Sequence, residues 1–569
     1  MDPSESAIRF IDSIDPRDWV QTPRPVQQVI IEMGTLIQTY RGRIESQQEQ
    51  IESQQEQIES FVQEVQLQNE QIQYLKDAIA RLKGHKPKPD IKPSSLEGHT
   101  QNEEERALSD GKRPGSAKRS KNKELEIHAT ERIVPQALPP GSKLKGYQDW
   151  LVQDIIIKPH NTRYRLECWE TPNGDYVVGK LPEELGGGHF GPTLVSFILF
   201  QYYHARVTQP LLVEQLEEFG IDISSGQVNN IIIHGKERFH AEKEEILRVG
   251  LEVSGYIHVD DTGARHDGKN GYCTHIGNEM FAWFASTDSK SRINFLKLLR
   301  AGRTDYVING EALEYLLAQD LPHALIEKLV TQEGMNFKDD EQWETNLKRL
   351  DITQPWPVRI ATEAALVGSL FEHGFNRHLA IMSDDAGQFN VLLHILCWIH
   401  MERTIHKLIP ISDKQHEELE EVRHQVWQLY ADLKAYKHTR SPDKKGELEA
   451  RFEQVFTAKT CFSLLNHALE RIHRNKKELL LVLQRPDLPL HNNLSERDIR
   501  EYVTRRKISG STRHELGRRC RDTFTSLKKT CRKLGISFWK YLVDRISHLD
   551  LISQLGEVIR QRAKAARMQ

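Results

Sequence analysis

GYIHVDDTG, residues Gly255 to Gly263, is the stretch from which the rest of the chain is read. Its apolar positions Tyr256, Ile257 and Val259 run straight into Asp260 and Asp261 and then turn at Thr262-Gly263. That is the pattern of a buried strand delivering a carboxylate to an open edge. Asp before a Gly turn also ends ordinary strands, so the reading depends on whether other segments supply partners for Asp260.

Downstream, Asp267-Gly268-Lys269-Asn270 marks a turn, Gly271 to Gly277 a second strand and Phe281 to Ser286 a third. Arg292 to Arg300, with Phe295, Leu296 and Leu299 on one side, has helical spacing. Three antiparallel strands followed by a helix, with an acid on the first strand, open an α/β fold of the RNase H-like kind. A second apolar run, His378 to Ser383, also ends in acids, Asp384 and Asp385, before Gly387. Either of this pair could face a metal. LCWIHMER, Leu396 to Arg403, then supplies His400 and Arg403, which either orient phosphate or merely pack and cap their helix. LHNNLSERDIREYV follows, where Asn493 or Ser495 can cap a helix carrying Glu496 in its first turns. An acid at a helix start is ordinarily favourable dipole electrostatics, but acids arriving on two strands and one helix form the set a metal site needs. Arg497, Arg500, Arg505, Arg506 and Lys507, continuing through Arg513, Arg518, Arg519, Arg521, Lys528, Lys529, Arg532 and Lys533, put positive charge beside those acids. Such charge suits a polyanionic substrate.

The whole-chain figures conceal this. Across 569 residues the net charge is only −3, because an acidic amino half offsets a basic carboxyl end. The length suits two or three globular units. Six widely spaced Cys without a C-x-x-C pair indicate neither a disulfide framework nor a zinc ribbon. No run approaches the roughly 20 apolar residues of a membrane span, and MDPSESAIRF lacks the features of a signal peptide. The expectation is a soluble cytoplasmic protein with no membrane partner.

Earlier in the chain, Ile37, Ile44, Ile51, Ile58, Val65, Ile72 and Ile79 repeat every seven positions. This heptad period predicts a parallel coiled coil, with β-branched residues leaning towards a homodimer; the plainer alternative is a solvated helix. Gln47, Gln54 and Gln68 leave its seam half polar. Past Gly84, the stretch with Pro87, Pro89, Pro93 and the basic residues Lys112 to Lys123 reads as a linker, either touching DNA phosphates or simply solvated. Trp150 to Ile157, Thr162 to Trp169 and Tyr176 to Leu181 read as strands of a small β-unit. Three helices follow: one with Val195, Ile198, Leu199 and Tyr202 on a face, one with Leu211, Leu212, Leu216 and Phe219, and one capped at Ser224-Ser225 with Val228, Ile231 and Ile232. Helix, short turn, capped helix is the helix-turn-helix pattern. Ser225, Gln227, Asn229 and Asn230 are its candidate DNA contacts.

HVDDTG, MSDDAGQF, CWIHMER, HNNLSERDIR and TRRKISGS together resemble the insertion sequence 66 family of bacterial DDE transposases. The resemblance implies an RNase H-like catalytic core with helical insertions, preceded by a coiled coil and a helix-turn-helix. It implies Asp260, Asp384 and Glu496 as catalytic metal ligands, with Asp261, Asp385, His400 and Arg403 as secondary candidates. Two Mg²⁺ ions per site are expected, with Mn²⁺ able to substitute; Asp260 would bridge them, Asp384 would hold one and Glu496 the other. The activity implied is end binding, strand cleavage and strand transfer on double-stranded DNA, both element ends and target, together with accessory proteins of the same element. A metal-dependent nuclease and an idle DNA-binding derivative are the alternatives. The family usually has Asp-Glu-Thr where this chain has Asp260-Asp261-Thr262, and its cysteine-rich zinc motif is missing here, so structural zinc is not expected. The expected organisation is an amino-terminal segment (1–35), coiled coil (36–83), basic linker (84–124), small β-rich unit (125–190), helix-turn-helix with connecting helix (191–250), catalytic domain (251–545, interrupted at about 301–377 and 405–485) and carboxyl-terminal helical tail (546–569).

Overall fold

The structure is a computed structural model that describes residues 16–33, 35, 36, 39, 126–182 and 188–568. The chain divides into two units, Met1–Gln101 and Asn102–Gln569. In the first, the described residues form a short helix, Pro16–Gln21, and further helical turns at 24–33. The expected coiled coil (36–83) and basic linker (84–124) lie almost wholly outside the described residues.

In the second unit, 126–182 is mostly extended chain. Cys168–Glu170 and Tyr176–Val178 form a short antiparallel hairpin around the expected Pro172-Asn173-Gly174 turn, where Gly174 takes a φ of +84°. Trp150 to Ile157, expected as a strand, has no ladder partner among the described residues, and Trp150 is 85% exposed. Apolar residues alone cannot hold a strand without a neighbouring edge and a face to cover.

The helix α1 (Pro192–Leu199) starts at a proline and runs into a π-helical segment, Phe200–Ala205, that Arg206 ends at φ +65°. Next, α2 (Gln209–Glu218) ends at Gly220, which takes φ +74°. The N-cap expected at the next start is present and forms a capping box: α3 (Ser225–Ile233) is capped by Ser224, whose hydroxyl accepts from Gln227 N while the Gln227 side chain returns the bond. Leu212, Leu216, Val228 and Ile232 are buried between these helices. Leu211 points outward instead, because Leu212 and Leu216, one turn apart, already define the buried stripe.

The core is a mixed α/β assembly built on a five-stranded sheet. The strand β1 (Tyr256–Gly263) is central and pairs antiparallel with β2 (Tyr272–Gly277), which pairs antiparallel with β3 (Ala282–Thr287). On its other side β1 runs parallel to β4 (Ala380–Ser383), and β4 parallel to β5 (Leu393–Leu396), giving the order β3-β2-β1-β4-β5. The β1–β2 hairpin turns at Asp267-Gly268, both at positive φ, as a two-residue turn of this twist requires. Helix α4 (Glu237–Val253) lies close to the strands: a Cβ on Gly250 would sit 2.5 Å from the Phe281 ring, so only glycine allows this approach.

The sheet leads through α5 (Arg292–Leu299) into 300–377, a mainly helical excursion ending in α6 (Pro355–Glu372). Its side chains, Trp343, Ile360 and Leu366 among them, share the main core with the sheet, so the segment buttresses the fold. After β5 comes α7 (Trp398–His406), and then the helices Asp413–Tyr436, Pro442–Phe456 and Ser463–Arg474. These have their own core, joined to α7 through Trp398, Met401 and Ile405.

The chain then returns as α8 (Asn493–Ser509), laid against β1 and β2, and α9 (Glu515–Lys533), laid along β3. Edge strands expose unpaired N–H groups. Here α9 satisfies them with a polar stripe at four-residue spacing: Ala282 N–H donates to Thr530 Oγ1 (3.1 Å), Phe284 N–H to Ser526 Oγ (2.9 Å) and Ser286 N–H to Asp522 Oδ2 (2.7 Å). Two more helices, α10 (Phe538–Ile546) and α11 (Leu555–Met568), pack on the far side, where buried Arg545 makes a two-pronged pair with Glu242 of α4. Among the described residues no helix is long and apolar enough to cross a membrane.

Candidate active site

Successive residues of a strand point to opposite faces, and the ladder shows which face each acid of β1 takes. Asp260 pairs in register with His275 of β2, and Asp261 with Thr274. His258, Asp260 and His275 therefore share the face that α8 covers. His258 Nδ1 lies 2.8 Å from Asn492 Oδ1, and His275 Nδ1 lies 2.6 Å from Ser495 Oγ. His275 Nε2 also lies 3.3 Å from Asp498. Burial pushes His258 down to about 4, so near neutrality it is the uncharged imidazole with one donor and one acceptor nitrogen.

Glu496 lies one turn beyond Asn492 on α8, so the contacts that seat the helix also bring Glu496 to the Asp260 side. Asp384 follows directly on β4, the parallel neighbour of β1. Asp260 registers both: burial first, then repulsion from Asp384, Asp261 and Glu496, push its carboxyl up to about 7, against the opposing pull of the Asp261 N–H. The Asp261 N–H donates to Asp260 Oδ1 at 2.8 Å.

The neighbouring acids have other partners. Asp261 accepts from Thr274 Oγ1 (2.5 Å) and Gln388 Nε2 (3.0 Å). Asp384 Oδ1 accepts from Ala386 N–H at 3.2 Å, while Asp385 is exposed and paired with Arg471 of the helical segment after α7. His400 Nε2 and Arg403 Nη1 each lie 3.3 Å from Glu496 Oε1. Burial lowers the pKa of His400, opposed by Glu496 and Asp384.

The sequence-predicted nucleic-acid contacts separate into two groups. Arg497, Arg500 and Lys507 are exposed on α8, and Asn230 is exposed on α3 with Asn229 half-buried. Gln227 is occupied by the α3 cap. Arg506 turns inward to Thr262 Oγ1 (3.3 Å) and the Gly263 carbonyl. Arg505, expected at the DNA surface, is 6% exposed: its guanidinium stacks over Tyr202, 4.2 Å from the ring centre, and donates to the Tyr202 carbonyl. Much of the basic density that follows is likewise internal. Lys528 pairs with Glu501, Lys529 with Asp498 and Glu501, and Lys533 with Asp498. These pairs bind α9 to α8.

His258, His275, Asn492, Ser495 and Asp498 were missed as site residues by sequence reasoning. The signal available was position alone, two residues before Asp260 on the same strand face or one turn before Glu496. The helix start also differs. Asn492 is the residue before α8, its side chain makes no cap, and Ser495 bonds to His275 instead, because both are drawn onto the sheet.

Among the described residues, no group of three or more His, Cys, Asp or Glu side chains stands close enough together to hold a metal ion; Glu496 is paired with Arg403 and His400 instead. The donor chemistry does suit a hard divalent ion. Carboxylate oxygens are its usual ligands, and Asp260, raised to about 7 by burial and neighbouring acids, sits where a cation would relieve the repulsion.

Residues 372–519, which span Asp384, His400, Arg403, Asn492 and Glu496, match the family described as "Transposase IS66 family". A curated protein of Sinorhizobium fredii (strain NBRC 101917 / NGR234), "Uncharacterized protein y4jO", is 45% identical over 303 residues, covering 53% of this chain and 94% of that protein. With nearly the full length of that relative matched and the family's segment lying across the elements that carry Asp384 and Glu496, the chain belongs to the IS66 transposase family.

Proposed function

We propose that the chain binds the ends of its insertion sequence and performs metal-dependent strand cleavage and strand transfer at Asp260, Asp384 and Glu496. The observation that carries this reading is that acids from three separate elements, β1, the end of β4 and α8, are brought near enough for Asp384 and Glu496 both to act on Asp260. The sheet order, three antiparallel strands with two parallel ones added beside the first, supports an RNase H-like core. The short turn between α2 and capped α3 supports a helix-turn-helix.

In this reading Asp260 would be the ligand common to the site, with Asp384 and Glu496 completing it for Mg²⁺ or Mn²⁺. Asp384 is favoured over Asp385 because it acts on both Asp260 and His400, whereas Asp385 is paired away with Arg471. Bound ions supply an activated water or 3′-hydroxyl and stabilise the departing oxygen. Arg403, with its side chain 37% exposed beside Glu496, offers fork-shaped donors to a phosphate. Exposed Arg497, Arg500 and Lys507 follow the DNA backbone, and Asn229 and Asn230 reach towards base edges. The amino-terminal heptads pair two chains so that both element ends are held together.

Labelled element ends, a target plasmid and Mg²⁺ test this directly. Wild type should cleave and join, whereas Asp260→Asn, Asp384→Asn and Glu496→Gln should each bind ends normally and do neither. Cleavage without joining would assign a nuclease instead, and wild-type joining by Glu496→Gln would remove that residue from the site.

A further inference from the structure

We propose that Asn492 is the positioning residue that registers the third acid against the first; the inference rests on the reading of the site given above. Asn492 is 1% exposed and reaches three elements at once. Its Nδ2 donates to the Val259 carbonyl at 2.8 Å, the residue immediately before Asp260, and its Oδ1 lies 2.8 Å from His258 Nδ1. Its backbone N–H donates to Cys397 Sγ at 3.2 Å, at the start of α7, the helix that carries His400 and Arg403. Its backbone carbonyl accepts from the Glu496 N–H at 3.2 Å. Asp260, Glu496 and His400 thus each lie within one helical turn or two strand residues of a bond made by Asn492.

The chemistry demanded of this side chain is specific. It must accept from an imidazole N–H and donate to a peptide carbonyl from one planar group, in a space closed to water. Asparagine does both. Aspartate is nearly isosteric but turns an acceptor towards the Val259 carbonyl, and alanine leaves two buried polar groups unpaired. Glutamine carries an extra methylene into a closed space. Ser495 and Asp498 seat the same helix on β2. Asn492 alone among these three bonds to the residue preceding Asp260.

The test is Asn492→Asp in the full-length protein, read four ways: thermal melting, affinity for labelled element ends, Mn²⁺ binding by titration calorimetry, and the Mg²⁺ dependence of joining. Residues that hold metal ligands in place are typically worth about 10–100-fold in metal affinity or activity. The expected result is end affinity within about twofold of wild type, Mn²⁺ binding at least tenfold weaker, and half-saturating Mg²⁺ raised to match. Unchanged Mn²⁺ binding in a folded Asn492→Asp protein would overturn the proposal. Should that variant melt below the assay temperature, His258→Gln loosens the same joint from the strand side while keeping the Val259 bond, and it must then weaken Mn²⁺ binding or the proposal fails. A wild type that binds Mn²⁺ but neither cleaves nor joins would refute the functional reading and leave the role of Asn492 standing.

Discussion

Replacing Glu501 with Gln removes the carboxylate through which α9 grips α8, and its effect can be worked out in advance. Glu501 is 10% exposed and faces Lys528, Lys529 at 3.3 Å and Arg206 at 3.1 Å. Burial alone would raise its pKa, but these three cations prevail and bring it from 4.5 to about 2. At about 1.4 kcal/mol per unit, a shift of that size corresponds to roughly 3 kcal/mol. Lys528, itself pushed down by burial, gives part of this back, so about 2 kcal/mol is the working figure. The sign follows from linkage: a depressed carboxylate stabilises the fold above its unfolded pKa and loses that contribution as pH falls through the folded value. Glu501→Gln should therefore melt about 2 °C below wild type near neutrality. The gap should narrow steadily as pH drops from 4.5 towards 2. Melting curves across that range decide the matter. A gap that stays constant with pH would show that shape, not charge, holds α9 to α8.

Three further outcomes follow from other parts of the molecule. Glu242→Ala strips buried Arg545 of its two-pronged partner and leaves the Tyr541 hydroxyl and Leu555 N–H unpaired; a loss of about 3–5 kcal/mol is expected in chemical unfolding. Asp522→Ala uncovers the Ser286 N–H at the sheet edge, which should cost roughly 1–3 kcal/mol and speed hydrogen exchange at Ser286 ahead of the central strand β1. Deleting Ile44 to Leu82 should leave a monomer in sedimentation; a dimer that persists would remove the pairing role from the heptads.

What could be read in the sequence was whatever is local. Runs of alternating or apolar residues ending in Asp260 and Asp384 located β1 and β4, Ser224 announced the start of α3, and Asp267-Gly268 the hairpin. These signals work because backbone geometry is set by near neighbours. What could not be read depends on distant partners. Arg505 and Lys528 looked like DNA contacts because charge density in sequence does not reveal which side of a helix meets another helix. Arg505 proved to fasten α8 to Tyr202, and Lys528 to fasten α9 to Glu501 of α8. Trp150 to Ile157 is rich in strand-forming apolar residues but has no edge to join among the described residues. Ser495 looked like a helix cap, and Asn492 stood out by nothing but its place one turn before Glu496; only the placement of α8 across β1 and β2 turns them towards His275 and His258. The acids were visible as candidates for the same reason that their supports were not: a carboxylate ending an apolar strand is conspicuous, whereas a buried amide bridging two segments more than two hundred residues apart is not.

The central claim is that Asp260, Asp384 and Glu496 act as one divalent-metal site, and Mn²⁺ titration of the full-length protein tests it most directly. Wild type should bind Mn²⁺, and Asp260→Asn, which removes the shared ligand, should bind at least about tenfold more weakly. Asp385→Asn, which alters only the acid paired with Arg471, should bind as wild type does. Equal Mn²⁺ binding by wild type and Asp260→Asn would contradict the account.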